Sequence, residues 1–123
     1  MQQLTKRESQ IMQIVWHLKK AFIRDIMEAL PEPKPHYNSV ATIVKILVKK
    51  GFLVSEKLGN THRYSATINR EDYREGYLID IKKKYFDNSF PKMIAYFAKE
   101  EKLSEEEVKE IMNLIQSNKK SNS

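Results

Sequence analysis

Apolar residues in the first fifty positions recur at helical spacing in three successive stretches. The first helix is predicted from Thr5 to Leu18 and opens on a capping-box sequence. The second is predicted from Ala21 to Leu30, because Pro31 cannot continue a helical hydrogen-bond ladder. The third follows the prolines and ends at Lys50, where Gly51 can adopt the left-handed conformation that closes many helices.

After Gly51 the period changes from helical to two. Residues 52–57 and 61–67 alternate apolar and polar side chains on either side of a Gly59-Asn60 turn. A basic β-hairpin following a third helix is the arrangement of a winged helix-turn-helix. The N-terminal region, residues 1–68, is therefore predicted to be a winged-helix DNA-binding domain.

The rest of the chain, residues 69–123, shows helical patterns only. Three short helices of this combined length, roughly 50 residues, leave much of their surface uncovered, and yet they carry many aromatic residues. We therefore expect a three-helix dimerisation region, although packing within one chain is an equal alternative for any single residue. The side chains predicted for the dimer seam are Tyr77, Ile81, Phe90, Ile94, Phe97, Val108, Ile111 and Ile115. The fold class predicted overall is mainly α with a small β-hairpin.

Charge is distributed unevenly between these two regions. The chain carries a net charge of +6; residues 1–68 hold eleven Lys and Arg against five Asp and Glu, whereas residues 69–123 hold eleven of each. An excess of positive charge confined to the winged-helix half favours a polyanionic partner such as nucleic acid. A lysine-rich surface that is merely solvated is the alternative.

Candidate DNA contacts come from the third helix and the hairpin. Short polar side chains near the start of the helix can reach base edges, whereas its later lysines suit phosphates. The hairpin tip is placed to contact the sugar-phosphate backbone of the flanking DNA. The candidates are Asn38, Ser39, Ala41, Thr42, Lys45 and Lys49 on the helix, and Lys57, Asn60, Thr61 and Arg63 on the hairpin.

Other functional classes receive little support. The chain has no cysteine, its three histidines lack the spacing of a zinc pair, and its glycines stand alone rather than in a phosphate-binding loop. We expect no catalytic residues, metal or cofactor.

The longest uncharged run is ten residues, too short for a membrane helix, and Lys6 lies where a signal peptide would be apolar. A cytoplasmic protein without membrane insertion is the expectation.

Several short motifs together resemble the penicillinase repressor family of regulators of β-lactam resistance. They span nearly the whole chain: Leu4-Thr5-x-x-Glu8-x-x-Ile11-Met12-x-x-x-Trp16, Tyr37 to Val44, Lys49-Lys50-Gly51-Phe52, Arg63-Tyr64, Phe86-x-x-Ser89-Phe90, Tyr96-Phe97 and Leu103-Ser104-x-x-Glu107. The resemblance implies a homodimeric transcriptional repressor of a β-lactamase or antibiotic-resistance operon that binds a palindromic DNA operator. It also implies a membrane sensor-protease system that relieves repression by cutting the dimerisation region.

The sequence departs from the family pattern in places. The family's cleaved Asn-Phe bond corresponds here to Tyr96-Phe97, and an outward arginine of the recognition helix in many relatives is Ile46. The C-terminal cysteines of copper-responsive relatives are absent. The alternative function is a winged-helix protein-interaction module that does not bind DNA sequence-specifically.

Overall fold

The computed structural model describes residues 4–100 and 103–121, and the side chains of residues 115–121 lie outside that description. This part of the chain forms six helices and a three-stranded antiparallel sheet, which confirms the predicted fold class. The elements are α1 (Lys6–Leu18), β1 (Lys20–Ala21), α2 (Ile23–Ala29), α3 (Tyr37–Lys49), β2 (Leu53–Leu58), β3 (Thr61–Ala66), α4 (Arg70–Tyr85), α5 (Phe90–Glu100) and α6 (Glu105–Ser121). None of these helices is long and apolar enough to cross a membrane.

The capping box predicted for α1 is confirmed. The Glu8 amide donates to the Thr5 hydroxyl at 3.2 Å, and the Thr5 amide donates to the Glu8 carboxylate at 2.8 Å. Both bonds satisfy amides that have no partner inside the helix. Leu18, the last residue of α1, is 41% exposed.

A short strand replaces the predicted start of the second helix. Lys20 and Ala21 form β1, which pairs with Ser65 and Tyr64 of β3, so the prediction that Ala21 begins a helix is wrong. The chain enters α2 two residues later, where the Asp25 carboxylate accepts from the Phe22 amide at 2.9 Å. The pattern of apolar residues near Ala21 could not predict this pairing, because the partner strand lies more than forty residues away in the sequence. Strand order β1-β3-β2 makes β3 the central strand.

The hydrophobic core of the first compact unit lies between the first three helices and the sheet. Helix α3 contributes Val40, Val44 and Leu47, all fully buried. Trp16 closes one end of the core and donates its indole N–H to the Ile68 carbonyl at 2.9 Å. The remaining core residues are Ile11, Met12, Val15, Ala21, Ile26, Leu30, Phe52, Leu53 and Tyr64.

The end of α3 forms a tight corner with the hairpin. Gly51 has a φ of +88°, as predicted, and its amide bonds to the Val48 carbonyl while the Phe52 amide bonds to the Leu47 carbonyl. These two bonds constitute a Schellman motif. Lys50 at the same corner donates to both carboxylate oxygens of Glu8, at 3.0 and 2.8 Å.

The first compact unit ends at Tyr77 and the second begins at Leu78. The first unit thus extends nine residues beyond the boundary we placed after Ile68, because Tyr73 of α4 packs on its core. The Tyr73 ring lies 5.6 Å from that of Trp16 and 5.9 Å from that of Phe52.

The second compact unit contains the end of α4 together with α5 and α6. The Phe86 ring lies 5.6 Å from that of Tyr96 and 6.4 Å from that of Phe97. Among its described side chains only Met93 is buried. Ser104 and Glu107 form a capping box at the start of α6, in which the Glu107 amide donates to the Ser104 hydroxyl at 3.1 Å. The described part of this unit therefore has little core of its own.

The ion pair between the buried Glu8 carboxylate and Lys50 makes stability depend on pH. Burial by itself would raise the pKa of Glu8, but hydrogen bonds from Lys50 and Thr5 and the lysine charge lower it below 4.5. A lowered pKa stabilises the folded state fully above the unfolded-state value, and that stabilisation is lost as pH falls through the folded-state pKa.

We predict that Glu8→Gln lowers the free energy of unfolding at neutral pH by about 1–3 kcal/mol. The difference from the unsubstituted chain should shrink as pH falls below 4.5, the ordinary pKa of the carboxyl group. Urea denaturation at fixed protein concentration measures both effects. Glu28→Gln, an exposed change on α2, is the matched control and should leave stability nearly unchanged. A difference between Glu8→Gln and the parent chain that is constant from pH 7 to pH 3 would contradict this role of the carboxylate.

Candidate nucleic-acid interface

A groove runs between the outward face of α3, the start of α2 and the tip of the hairpin. It brings together residues that are far apart in the sequence, because β3 is paired to β1 next to α2. Its lining residues are Phe22, Ile23, Arg24, Tyr37, Asn38, Ala41, Lys45, Asn60, Thr61, His62 and Tyr64. Five of these, Asn38, Ala41, Lys45, Asn60 and Thr61, are candidates we selected from the sequence.

The outward surface of α3 carries all six candidates of the predicted recognition helix. Five of them are exposed, whereas Ala41 is half-buried. The Thr42 hydroxyl donates to the Asn38 carbonyl at 2.9 Å, so its proton is already used within the helix. Thr42 can still accept a hydrogen bond and present its methyl group, while the proton that would donate to a base is engaged.

The hairpin presents a polar tip. Gly59 has a φ of +63° in the two-residue turn, a conformation that glycine adopts without steric cost. Lys57, Asn60 and Thr61 around this turn are exposed. The hairpin can therefore offer Asn60 and Thr61 to a ligand that lies in the groove, while Lys57 stands opposite His62 on the neighbouring strand.

Arg63 is placed differently from the other hairpin candidates. Its guanidinium donates to the Glu56 carboxylate on the neighbouring strand at 2.6 Å, and its side chain is 31% exposed. Its Nε atom is buried without a hydrogen-bond partner. Within this chain the positive charge of Arg63 is thus largely balanced by Glu56.

Six lining residues were not among the candidates chosen from the sequence, and three of the six are exposed: Arg24, Tyr37 and His62. Arg24 adds a cation from α2 and lies over the Phe22 ring at 5.7 Å. Tyr37 is 55% exposed at the first position of α3. From the sequence, Arg24 could be identified only as an arginine at an outward position of the second helix. The fold shows that it faces the same groove as the hairpin tip.

Two lysines of the basic region serve the fold. Lys34 donates to the carbonyls of Met27, Glu28 and Leu30 at 2.8, 3.1 and 2.7 Å, and so caps the end of α2. Lys50 is held by Glu8. The positive charge that faces solvent at the groove comes from Arg24 and Lys45, with Lys49 exposed further along α3.

Tyr64 remains uncharged at neutral pH. Burial raises the pKa of Tyr64, which lines the groove floor, and Tyr37 nearby contributes in the same direction.

Among the described residues no group of His, Asp and Glu is arranged to hold a metal ion.

The residues predicted for the dimer seam lie mostly on the helices of the second unit. Tyr77 lies instead at the end of the first unit, where its ring stacks on Tyr73 at 6.1 Å. The half-buried members are Ile81, Phe90, Ile94, Val108 and Ile111. Phe97 is 43% exposed, and the side chain of Ile115 lies outside the described residues. The Tyr96-Phe97 bond lies inside α5.

Three helices, of which the second and third line one groove together with a β-hairpin, define a winged helix-turn-helix protein. The family model described as Penicillinase repressor matches residues 4–117, and the chain belongs to this family. The resemblance seen in the sequence motifs is thereby confirmed.

Individual relatives agree with this assignment. The chain is 25% identical to the methicillin resistance regulatory protein MecI of Staphylococcus aureus (strain N315), over 92% of this chain and 93% of that protein. It is 22% identical to the penicillinase repressor of Bacillus licheniformis, over 95% and 92%. It is also 38% identical to an uncharacterized 16.5 kDa protein of Latilactobacillus sakei, over 54% of this chain and 46% of that protein.

The ion pair between Arg63 and Glu56 makes a prediction for polyanion binding. Glu56→Gln should free the guanidinium for phosphate, so the slope of log K against log salt on a DNA duplex should become steeper by about one. Fluorescence anisotropy at several salt concentrations measures this slope. Glu75→Gln, an exposed change on α4, removes the same charge away from the groove and should leave the slope unchanged. Equal slopes for both variants would mean that Arg63 does not approach the DNA.

Proposed function

We propose that this protein is a homodimeric transcriptional repressor whose winged helix binds a palindromic DNA operator. The observation that carries this proposal is the groove in which α3 and the hairpin tip lie side by side with Arg24 and Lys45. Family membership supports it, since the matched family is named for repressors of penicillinase. The genes it controls would belong to a β-lactamase or other antibiotic-resistance operon.

The dimensions of the recognition helix suit the major groove of DNA. Helix α3 has 13 residues and is therefore about 20 Å long, and a major groove about 12 Å wide admits such a helix. Its first turns would read bases through Asn38, Ser39 and Thr42, with half-buried Ala41 allowing close approach. Lys45 and Lys49 would hold phosphates, which fix position without reading sequence.

The hairpin would extend the contact along the flanking backbone. Lys57, Asn60 and Thr61 at its tip can bind phosphates, and Arg63 can join them if it leaves Glu56. These contacts add affinity that depends on salt rather than on sequence.

The second compact unit would hold the dimer together. Its described part buries only Met93 and leaves Tyr96, Phe97 and Leu114 more than two-fifths exposed, which favours an apolar surface that a second copy covers. A two-fold dimer presents two recognition helices to half-sites about one helical turn apart, or a multiple of that distance. Binding both half-sites together raises apparent affinity by roughly 10²–10⁴.

Repression would be relieved by proteolysis at the Tyr96-Phe97 bond through a membrane sensor-protease system. Both side chains are accessible, at 51% and 43% exposure. The bond lies in the second half of α5, so that half of the helix must unwind before a protease can bind it in extended form. One cut there would detach α6 and return each winged helix to weak monomeric binding.

Two substitutions on α3 test the proposed division between base and phosphate contacts. Thr42→Ala should change sequence preference at one base pair, by about 1–3 kcal/mol, whereas Lys49→Ala should weaken binding to every duplex alike. Competition gel shifts with an operator selected from random duplexes, and with its single-base variants, measure both effects.

A uniform loss for both variants would refute this division. If the unsubstituted chain binds no duplex in a salt-dependent manner, it is instead a winged-helix protein-interaction module.

Truncation tests the role of the second unit. A chain that ends at Tyr96 should sediment as a monomer at concentrations where the full chain is dimeric, and its operator affinity should fall at least about ten-fold because only one head binds. A chain that ends at Ser117 keeps most of α6 and is the matched control. A truncated chain that stays dimeric and binds as tightly as the intact protein would remove the proposed switch.

A further inference from the structure

Helix α3 exposes one large aliphatic side chain on a surface that is otherwise polar. Ile46 is 41% exposed and takes no part in the core, which α3 reaches through Val40, Val44 and Leu47. Its neighbours on the helix surface include Thr42, one turn earlier, and Lys49, three residues later. An exposed isoleucine between polar residues of a predicted recognition helix can contact an apolar group of the ligand.

Thr42 adds a methyl group to the same surface. Its hydroxyl donates to the Asn38 carbonyl. This bond fixes the side chain, whose remaining apolar part is the methyl group. Residues four apart on a helix lie side by side. Thr42 and Ile46 therefore form a continuous apolar patch, which we name the methyl strip.

We propose that the methyl strip packs against 5-methyl groups of thymine in the major groove, and that Ile46 is a specificity-determining residue. This inference rests on the proposed function. The thymine methyl is the apolar group that the base pairs present in the major groove, and aliphatic side chains recognise it by contact. Exposed Lys49 lies beside Ile46 on the helix, so its charge favours DNA rather than an apolar protein surface as the occupant.

Helix geometry restricts which thymines can be read. Thr42 and Ile46 are separated by about 6 Å along the helix axis, and base pairs are stacked about 3.4 Å apart. The two contacts therefore fall within about two base-pair steps of each other in one half-site. A preference for thymine at the position read by Ile46 is the expected signature.

The experiment removes single methyl groups from the DNA. An operator duplex is selected from random sequences with the full-length protein, and each thymine is then replaced by deoxyuridine, which lacks only the methyl group. Fluorescence anisotropy gives the Kd of each duplex. We expect a loss of about three- to five-fold at one thymine per half-site through Ile46, since burying one methyl group contributes about that much.

Variants assign the effect to the residue. Ile46→Ala should bind the thymine and deoxyuridine duplexes equally at that position, and Ile46→Val should retain part of the discrimination with little change to the helix surface. Val54→Ala is the matched control, because Val54 is 51% exposed on β2 and away from the methyl strip. It should discriminate as the parent chain does.

The outcomes separate the inference from the proposed function. If the protein binds its selected duplex specifically but no deoxyuridine substitution weakens binding, or if Ile46→Ala discriminates as the parent does, the inference is wrong and the repressor function stands. If no duplex is preferred over random DNA, the proposed function fails, and the inference fails with it.

Discussion

The corner where α3 turns into the hairpin is the constraint on which the rest of the first unit depends. Gly51 adopts a φ of +88°, a conformation in which a side chain would be strained. The chain therefore reverses within two residues, and the hairpin folds back beside α3 rather than away from it. Without that reversal, the recognition helix and the hairpin tip would not share a groove.

Other parts of the unit are fastened to the same corner. Lys50 joins it to the start of α1 through Glu8, and the Thr67 amide and hydroxyl bond to the Phe52 and Gly51 carbonyls at the end of the hairpin. The Phe52 ring lies against Tyr73 of α4. Ionic, polar and aromatic contacts thus converge on three consecutive residues.

Contacts within the fold also determine which positive charges remain available to a ligand. Lys34 and Lys50 lie in the basic half of the chain, yet one caps α2 and the other neutralises a buried carboxylate. Arg63 is paired with Glu56. A count of basic residues therefore overstates the positive surface, and the side chains left around the groove, Arg24 and Lys45, set its electrostatic character.

Much of the fold could be predicted from local pattern. The capping boxes at Thr5 and Ser104, the helix end at Gly51 and the hairpin turn at Gly59 all follow from residues within a few positions of one another. These features are encoded by side-chain and backbone preferences that act over one turn.

Long-range pairing could not be predicted in this way. Strand β1 exists because Lys20 and Ala21 meet Ser65 and Tyr64, and Tyr73 belongs to the first unit because it packs on Trp16 and Phe52. The same limit applied to the candidate site. Asn38, Lys45 and Asn60 were identifiable by residue type, whereas Arg24 and His62 join them only when the chain is folded.

Hydrogen exchange with and without a selected operator tests whether the groove between α3 and the hairpin tip binds duplex DNA. DNA binding should slow amide exchange in the first turns of α3, in residues 58–62 of the hairpin and at the start of α2. Amides in residues 9–15 of α1, which do not line the groove, should exchange at the same rate in both states. Slowing confined to α1 or to the second unit, with the groove unchanged, would show that DNA does not bind in the groove.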